Sequence, residues 1–247
     1  MDSAVIHYRL DLVIRLLDTT TGSAVDEHNV QFRNDGHSLQ LTPRGNGSYV
    51  LINSGREDFT LQVTVHGYEP CEVPVCYEKL DERIPIQEVF LIPSENTAEG
   101  EPLLTFSGQL SGLEQVEAVS LRHALCSIQE FDERKRIMKV FQKSSRASME
   151  DVAYGLIRAD MTGYERIEIL KETGKGEFKL KEPLKEPFSV NSPIARVIFG
   201  KAGQDGEYIL RVRDESEDLR YLVRYVVEGE TRFQVVDFHQ LDGVVLR

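Results

Sequence analysis

The sequence predicts an all-β protein made of two antiparallel β-sandwich-like modules in tandem, with at most one or two short helices in the second. Two observations predict the class: apolar residues recur at every second position over most of the chain, and clusters of Gly, Asn, Asp and Pro interrupt them about every ten residues. A third, the charge balance, predicts the division. Residues 1–98 carry 7 basic against 15 acidic side chains, with Lys79 their only lysine, whereas residues 99–247 carry 22 against 26. The step falls in a polar stretch bracketed by Pro93 and Pro102, so the expected boundaries are a first module at 1–93, a linker at 94–101 and a second module at 102–247.

In the first module Leu10, Leu12, Ile14 and Leu16 alternate with polar or smaller residues before the turn residues Asp18 to Gly22. Val30 and Phe32 begin a short run ended by Asn34-Asp35-Gly36, and Leu39 and Leu41 begin another that stops at Pro43 to Gly47. Tyr49 and Leu51 follow, then Phe59, Leu61, Val63 and Val65, then Val73 and Val75, and last Ile84, Ile86 and residues 89–92. Seven or so short strands with regular turns describe an antiparallel sandwich.

These residues carry a resemblance. Asp18, Thr21, Gly22 and Val25, then Gly47, Tyr49 and Leu51, then Phe59, Leu61, Val63, Gly67 and Tyr68 match the segments that open the carboxypeptidase-regulatory-like (transthyretin-like) β-sandwich, mark its middle strand and carry the next strand into its turn. The first module therefore resembles that family over about residues 5–92, and the polar, closely turned stretch 31–44 departs from its pattern. The resemblance implies a seven-stranded sandwich that is a non-catalytic attachment, bracing neighbours or binding partners. Chains combining such a module with further β structure and no leader are similar to components of phage tails and phage-tail-like contractile particles. No family is recognised for residues 100–247.

In the second module, residues 103–106 and 116–121 read as strands. Residues 121–157 suit either a helix or a hairpin turning at residues 132–135; the β context favours the hairpin, and Ser148-Met-Glu-Asp151 before Val152, Ala153 and Leu156 predicts a short helix near 148–157. Residues 164–169 alternate into the turn at 173–176, which joins two strands and so lacks the helix N-terminus a phosphate loop needs. Tyr208, Leu210 and Val212, then Leu219, Tyr221, Val223, Tyr225 and Val227, then residues 233–238 predict a closing antiparallel meander with turns at 214–218 and 228–230.

At 247 residues, 40% hydrophobic and 28% charged, the chain has globular composition, which excludes disorder and collagen. Three cysteines make no disulfide framework and read as thiols in a reducing compartment. With no basic leader followed by an apolar stretch, and no long apolar run, the expectation is no signal peptide, no membrane contact and a place in the cytoplasm or in a particle assembled there. The net charge of −12 disfavours a generic nucleic-acid binder.

No P-loop, His-Glu-x-x-His, Gly-x-Ser-x-Gly or Gly-x-Gly-x-x-Gly motif occurs, so the sequence predicts no enzyme, no catalytic residue and no cofactor. Cys71 and Cys76 could meet His123 and Cys126 at a zinc ion only across the two modules, and the favoured reading is three small half-buried hydrophobes with no metal. His7, His28, His37, His66 and His239 are scattered and read as structural, and the acidic residues 214–218 as a solvated turn.

Two basic features stand out. Arg134, Lys135, Arg136, Lys139, Lys143 and Arg146 occur in a stretch without an acid. On the predicted meander, period-two geometry puts Arg211 and Arg213 on one side of a strand, and Arg220 and Arg224 on one side of the next. The partner-binding candidates are thus Arg211, Arg213, Arg220, Arg224, Arg134, Lys135, Arg136 and Lys139. Tyr221 and Tyr225 point to the opposite face from Arg220 and Arg224, so no aromatic platform for single-stranded nucleic acid forms. An acidic protein surface, including the first module of another copy, suits these arginines better. The functional expectation is a structural or adaptor protein that assembles with protein partners by self-association or within a multi-subunit particle; the alternative is a ligand-binding module or an enzyme without a common motif, with a site at the sandwich loops or between the modules. Under the first reading, reversing Arg220 and Arg224 to glutamate weakens association and leaves the fold intact.

Overall fold

The structure, a computed structural model, describes residues 9–26, 29–94, 103–142, 149, 153–203, 205–213, 219–241 and 244–247. Outside these lie His7, His28, most of the expected linker, Lys143, Arg146, Ser148, residues 150–152 and the acidic turn at 214–218. The protein is all-β, with one single-turn 3₁₀ segment at Tyr77–Lys79 among the described residues. It divides into two compact units, Met1–Asp18 with Ala24–Ala98, and Thr19–Ser23 with Glu99–Arg247. No helix among the described residues is long and apolar enough to cross a membrane.

The first unit is a sandwich of two four-stranded sheets built from β1 (Leu10–Asp18), β2 (Val30–Asn34), β3 (His37–Ser38), β4 (Thr42–Gly45), β5 (Ser48–Ile52), β6 (Phe59–Val65), β7 (Cys71–Val75) and β8 (Ile86–Leu91). One sheet has the order β4-β5-β1-β8 and the other β3-β2-β6-β7. The alternating residues Leu12, Ile14 and Leu16 face Phe32, Leu61, Val63 and Val65 across the core, each losing its apolar surface from water. The pairing of β1 with β8 is parallel, from Val13 against Ile86 to Asp18 against Leu91. The expected sandwich is therefore not wholly antiparallel, since alternation sets which face is buried and leaves strand direction open. The expected strand around Leu39 and Leu41 is instead split into β3 and β4 on either side of those residues.

The residues that opened the first unit's pattern are tied to one another. Tyr68 Oη donates to Asp18 Oδ2 at 3.0 Å. Gly47, at φ +63°, accepts from Leu16 N–H through its carbonyl at 2.9 Å. A Cβ there would stand 2.8 Å from the Leu16 carbonyl oxygen and 2.9 Å from that of Val25, so glycine is required on both counts.

The second unit holds β9 (Leu103–Gln109), β10 (Leu113–Ser120), β11 (Cys126–Asp132), β12 (Ile137–Gln142), β13 (Ala153–Ile157), β14 (Tyr164–Gly174), β15 (Glu177–Leu180), β16 (Pro193–Phe199), β17 (Lys201–Ala202), β18 (Glu207–Arg213), β19 (Arg220–Val227) and β20 (Glu230–Asp237). Its nine-stranded sheet has the order β11-β12-β15-β14-β13-β16-β10-β19-β20, and β11 also pairs with β16. Six strands, β11, β12, β15, β14, β13 and β16, therefore close into a ring filled by Ile128, Met138, Tyr154, Leu156, Ile167, Phe178 and Ile194. Beyond β16, strands β10, β19 and β20 continue as an open sheet that packs on the three-stranded sheet β17-β18-β9 through Val116, Tyr221, Val223 and Tyr225 on one side and Phe106, Tyr208 and Leu210 on the other.

Three expectations are corrected or sharpened here. The hairpin at 126–142 forms, turning where Asp132 Oδ1 accepts Lys135 N–H at 3.1 Å and Arg136 adopts φ +56°. Residues 153–157 form a buried strand between β14 and β16, not a helix; short apolar runs buried on both sides carry no period to tell the two apart. The closing meander reduces to the β19–β20 hairpin. Strand β18 pairs with β9 and β17 in the facing sheet, because its alternation fits stacking across a core as well as pairing along an edge.

Candidate functional site

The nine-stranded sheet presents a charged constellation that begins at a buried acid in the apolar half of a strand. Glu117 lies in β10 between Val116 and Ala118, and is 3% exposed. Arg224 is its register partner on β19 and Phe199 its partner on β16. Glu117 Oε1 meets Arg224 Nη1 at 3.1 Å, and Oε2 lies 3.6 Å from Arg166 Nη1. Tyr164 Oη donates to the same carboxylate at 3.1 Å. Burial, with the Glu117 charge second, pushes the Tyr164 phenol well above its ordinary range, so it stays a donor. Tyr164 reaches across β13 only because position 155 is glycine: a Cβ there would lie 2.6 Å from Val119 Cγ1 and 2.8 Å from Tyr164 Cδ2.

The charges continue outward. Arg166 stacks over the Phe199 ring at 5.2 Å and pairs with Glu168 at 3.1 Å, and Glu168 pairs with Lys181 at 2.9 Å. Burial disfavours the Glu168 carboxylate, but the bond from Lys181 and the charges of Lys181 and Arg166 prevail and hold its pKa below the usual carboxylate value. The network's chemistry is charge compensation of a buried carboxylate, although Arg166 Nε within it is buried without a hydrogen-bond partner.

The partner-binding candidates read from sequence are not brought together. Arg211 is buried, with its Nε 3.4 Å from the Thr105 hydroxyl, and so presents no charge to a partner. Arg213 is half-buried and lies with Arg211 on the three-stranded sheet, while Arg220 and Arg224 belong to the facing one. The single arginine-bearing face expected from a meander does not exist. Arg220 is exposed, whereas Arg224 is engaged by Glu117. On the β11–β12 hairpin, Arg134, Lys135 and Lys139 are exposed. Lys135 pairs with Asp132 at 3.4 Å, Lys139 lies 4.0 Å from Glu177, and Arg136 donates to the Lys181 carbonyl. Tyr221 and Tyr225 are buried in the core, on the side opposite Arg220 and Arg224.

What the sequence reading missed is Glu117 and its partners Tyr164 and Arg166. The signal was an acid set directly between Val116 and Ala118-Val119, in the apolar half of β10, where an unpaired charge is costly.

A cavity of about 340 Å³ beside Ile157 is flanked by Arg158, which holds Glu186 through Nε at 2.8 Å and Nη2 at 2.6 Å. Glu165 there accepts the Lys185 and Glu186 N–H groups at 2.7 and 3.1 Å, so these polar groups serve the loop. Cys126 is buried with its thiol pushed up to about 12 by burial, while Cys71 and Cys76 lie in the first unit. Among the described residues no three His, Cys, Asp or Glu side chains gather to hold a metal.

A different feature of the same sheet faces outward. Because β11 returns to β16, β20 is the open edge of the nine-stranded sheet. Its hairpin with β19 turns through Glu228 and Gly229, both at positive φ (+51° and +78°), so Val227 and Glu230 form the first hydrogen-bonded pair. Counting from that pair, the N–H and C=O groups of Thr231, Phe233 and Val235 point away from β19, and no backbone partner for them occurs among the described residues. The strand runs eight residues without a bulge or proline, and Val235 on it is 51% exposed.

No protein-family model matches the chain, and no curated protein matches it. Among solved structures it is similar to the TIE protein of Bacillus anthracis, at 10% identity and a TM-score of 0.26, over 91% of this chain and 48% of that one. The chain thus spans about half the length of that protein. It is similar as well to a Bacteroides uniformis chain described as a "putative carbohydrate binding protein", at 11% identity and a TM-score of 0.24, over 92% of this chain and 98% of that one.

Proposed function

We propose that the protein is a non-enzymatic structural or adaptor protein that assembles with protein partners through its β structure. Its first unit then serves as a carboxypeptidase-regulatory-like attachment, and its principal docking element is the edge of β20. The observation that carries this reading is the row of outward backbone groups at Thr231, Phe233 and Val235 on a long, unbulged edge strand. Natural proteins usually cover, shorten or charge such an edge when nothing pairs with it, and an added strand satisfies its donors and acceptors directly.

The occupant that the strand's own sequence favours is a second copy. Antiparallel pairing about a two-fold axis at Phe233 sets Phe233 beside its equivalent, Val235 beside Thr231, and Arg232 beside Gln234, so no like charges stand directly opposite. Self-association of this kind suits a part of a multi-subunit particle.

Sedimentation velocity of the full chain and of Val235→Pro tests the reading. Proline at an outward-facing edge position removes a donor without breaking the β19 ladder. The expected result is a concentration-dependent dimer for the parent and a monomer with an unchanged circular dichroism spectrum for the variant. A parent that stays monomeric, or a variant that dimerises equally, overturns it.

A further inference from the structure

Strands β10 and β11 lie end to end along the same side of β16. The register runs Glu117 to Phe199, Ala118 to Ile198 and Val119 to Val197, then resumes at Cys126 against Ile194. Between these points one side has the six residues 120–125 and the other only the two residues 195–196. The longer side must leave β16, and a cavity of about 200 Å³ lined by Ser120, His123, Leu125 and Arg196 lies beside its excursion.

The lining of this cavity is unusual in its charge. Arg196 and Arg213 both line it, together with His123 and the hydroxyl-bearing Thr20, Thr21 and Ser120. No lining side chain among the described residues is acidic. Arg196 is half-buried and its Nε is wholly buried without a hydrogen-bond partner. Among the described residues the hydrogen bond of Arg213 is a long one, 3.5 Å from its Nε to the Thr20 hydroxyl. Ser120 Oγ accepts the N–H groups of Arg122 and His123 at 3.2 and 3.0 Å, which leaves its own proton to donate. The rest of the lining is apolar or aromatic, from Leu125, Ile198, Leu219 and Tyr221.

Two guanidiniums sharing one half-enclosed space repel, and an unbonded buried donor costs free energy that an acceptor would recover. We infer that this cavity binds a small oxyanion, a carboxylate or a phosphate, between Arg196 and Arg213, with a short apolar body against Leu125, Ile198, Leu219 and Tyr221. Arginine's planar fork suits both head groups. The site is independent of the β20 edge, so either proposal stands if the other fails.

Isothermal titration of the full chain with inorganic phosphate, acetate and hexanoate at matched ionic strength tests the inference. Saturable one-to-one binding is expected for at least one head group. If carboxylates are the ligand, hexanoate binds more tightly than acetate by up to about fourfold for each methylene buried. Phosphate binding without carboxylate binding, or the reverse, identifies the source of the oxyanion. Arg196→Gln and Arg213→Gln should each weaken binding about tenfold or more. Removing one of two like charges should also leave the ligand-free melting temperature equal to or above that of the parent. If Arg196→Gln does not fold, Arg213→Gln alone decides. Absence of saturable binding with all three probes, or undiminished binding by the folded variants, overturns the inference.

Discussion

Glu117 and Arg224 meet at 3.1 Å across the β10–β19 pair, with the glutamate side chain 4% and the arginine side chain 21% exposed. The arginine that sequence alternation offers to a partner is therefore committed within the sheet. A pair so placed is weak grounds for stability as a whole, yet breaking it is costly, because the remaining charge keeps its desolvation penalty.

Arg224→Glu should destabilise the second unit by at least about 3–5 kcal/mol, since it sets a carboxylate against a buried carboxylate. Arg220→Glu, at an exposed position opposite Asp237, should cost less, about 1 kcal/mol or under. Urea unfolding followed by circular dichroism separates the two. Equal stability of both variants would remove Glu117 and Arg224 as a structural pair, and the double reversal is not a fold-neutral probe of association.

Asp11 is fully buried in the first unit. Its burial opposes ionisation, but the Ser54 N–H at 2.7 Å, the Arg9 guanidinium at 2.6 Å and the Gly55 N–H at 3.2 Å outweigh that and lower its pKa. An unfolded aspartate titrates at about 3.9. The stability Asp11 confers is thus complete above that pH and is lost as pH falls through its lower folded value. The Ser54 and Gly55 amide resonances should shift below about pH 4. Asp11→Asn should abolish that shift and cost about 1.5–3 kcal/mol. Amide shifts that stay flat down to acid unfolding would contradict the assignment.

Of the three cysteines, Cys71 and Cys76 are half-buried and Cys126 is buried with its thiol pushed up to about 12. Because the thiolate is the reactive form, native protein at pH 8 should take up label at Cys71 and Cys76 and leave Cys126 unmodified until denaturant is added. Mass spectrometry after iodoacetamide treatment reads this directly, and rapid labelling of Cys126 would argue for an opening of the six-stranded ring.

The sequence made the strands legible where one face is buried and the other wet. Leu12, Ile14 and Leu16, and again Tyr221, Val223 and Tyr225, announce themselves by alternation. Partnership was less legible than existence. Tyr208, Leu210 and Val212 alternate as cleanly as Tyr221, Val223 and Tyr225, and nothing local says that the two sets meet face to face. Alternation also hides direction, as β1 and β8 illustrate. Functional features were harder still. Arg196 and Glu117 each look like a charge between apolar neighbours in a strand, and their surroundings arise from strands distant in sequence, so only assembled geometry distinguishes a paired carboxylate from a guanidinium whose Nε has no hydrogen-bond partner.

The return of β11 to β16 has a consequence for how large an assembly can grow. A sheet with two open terminal strands can add copies at both ends without limit, whereas in this one β11 turns back onto β16 and β20 is the open terminal strand among the described residues. The two-fold pairing proposed at β20 would use that strand in both copies and so would end in a closed dimer at this edge rather than extend along it.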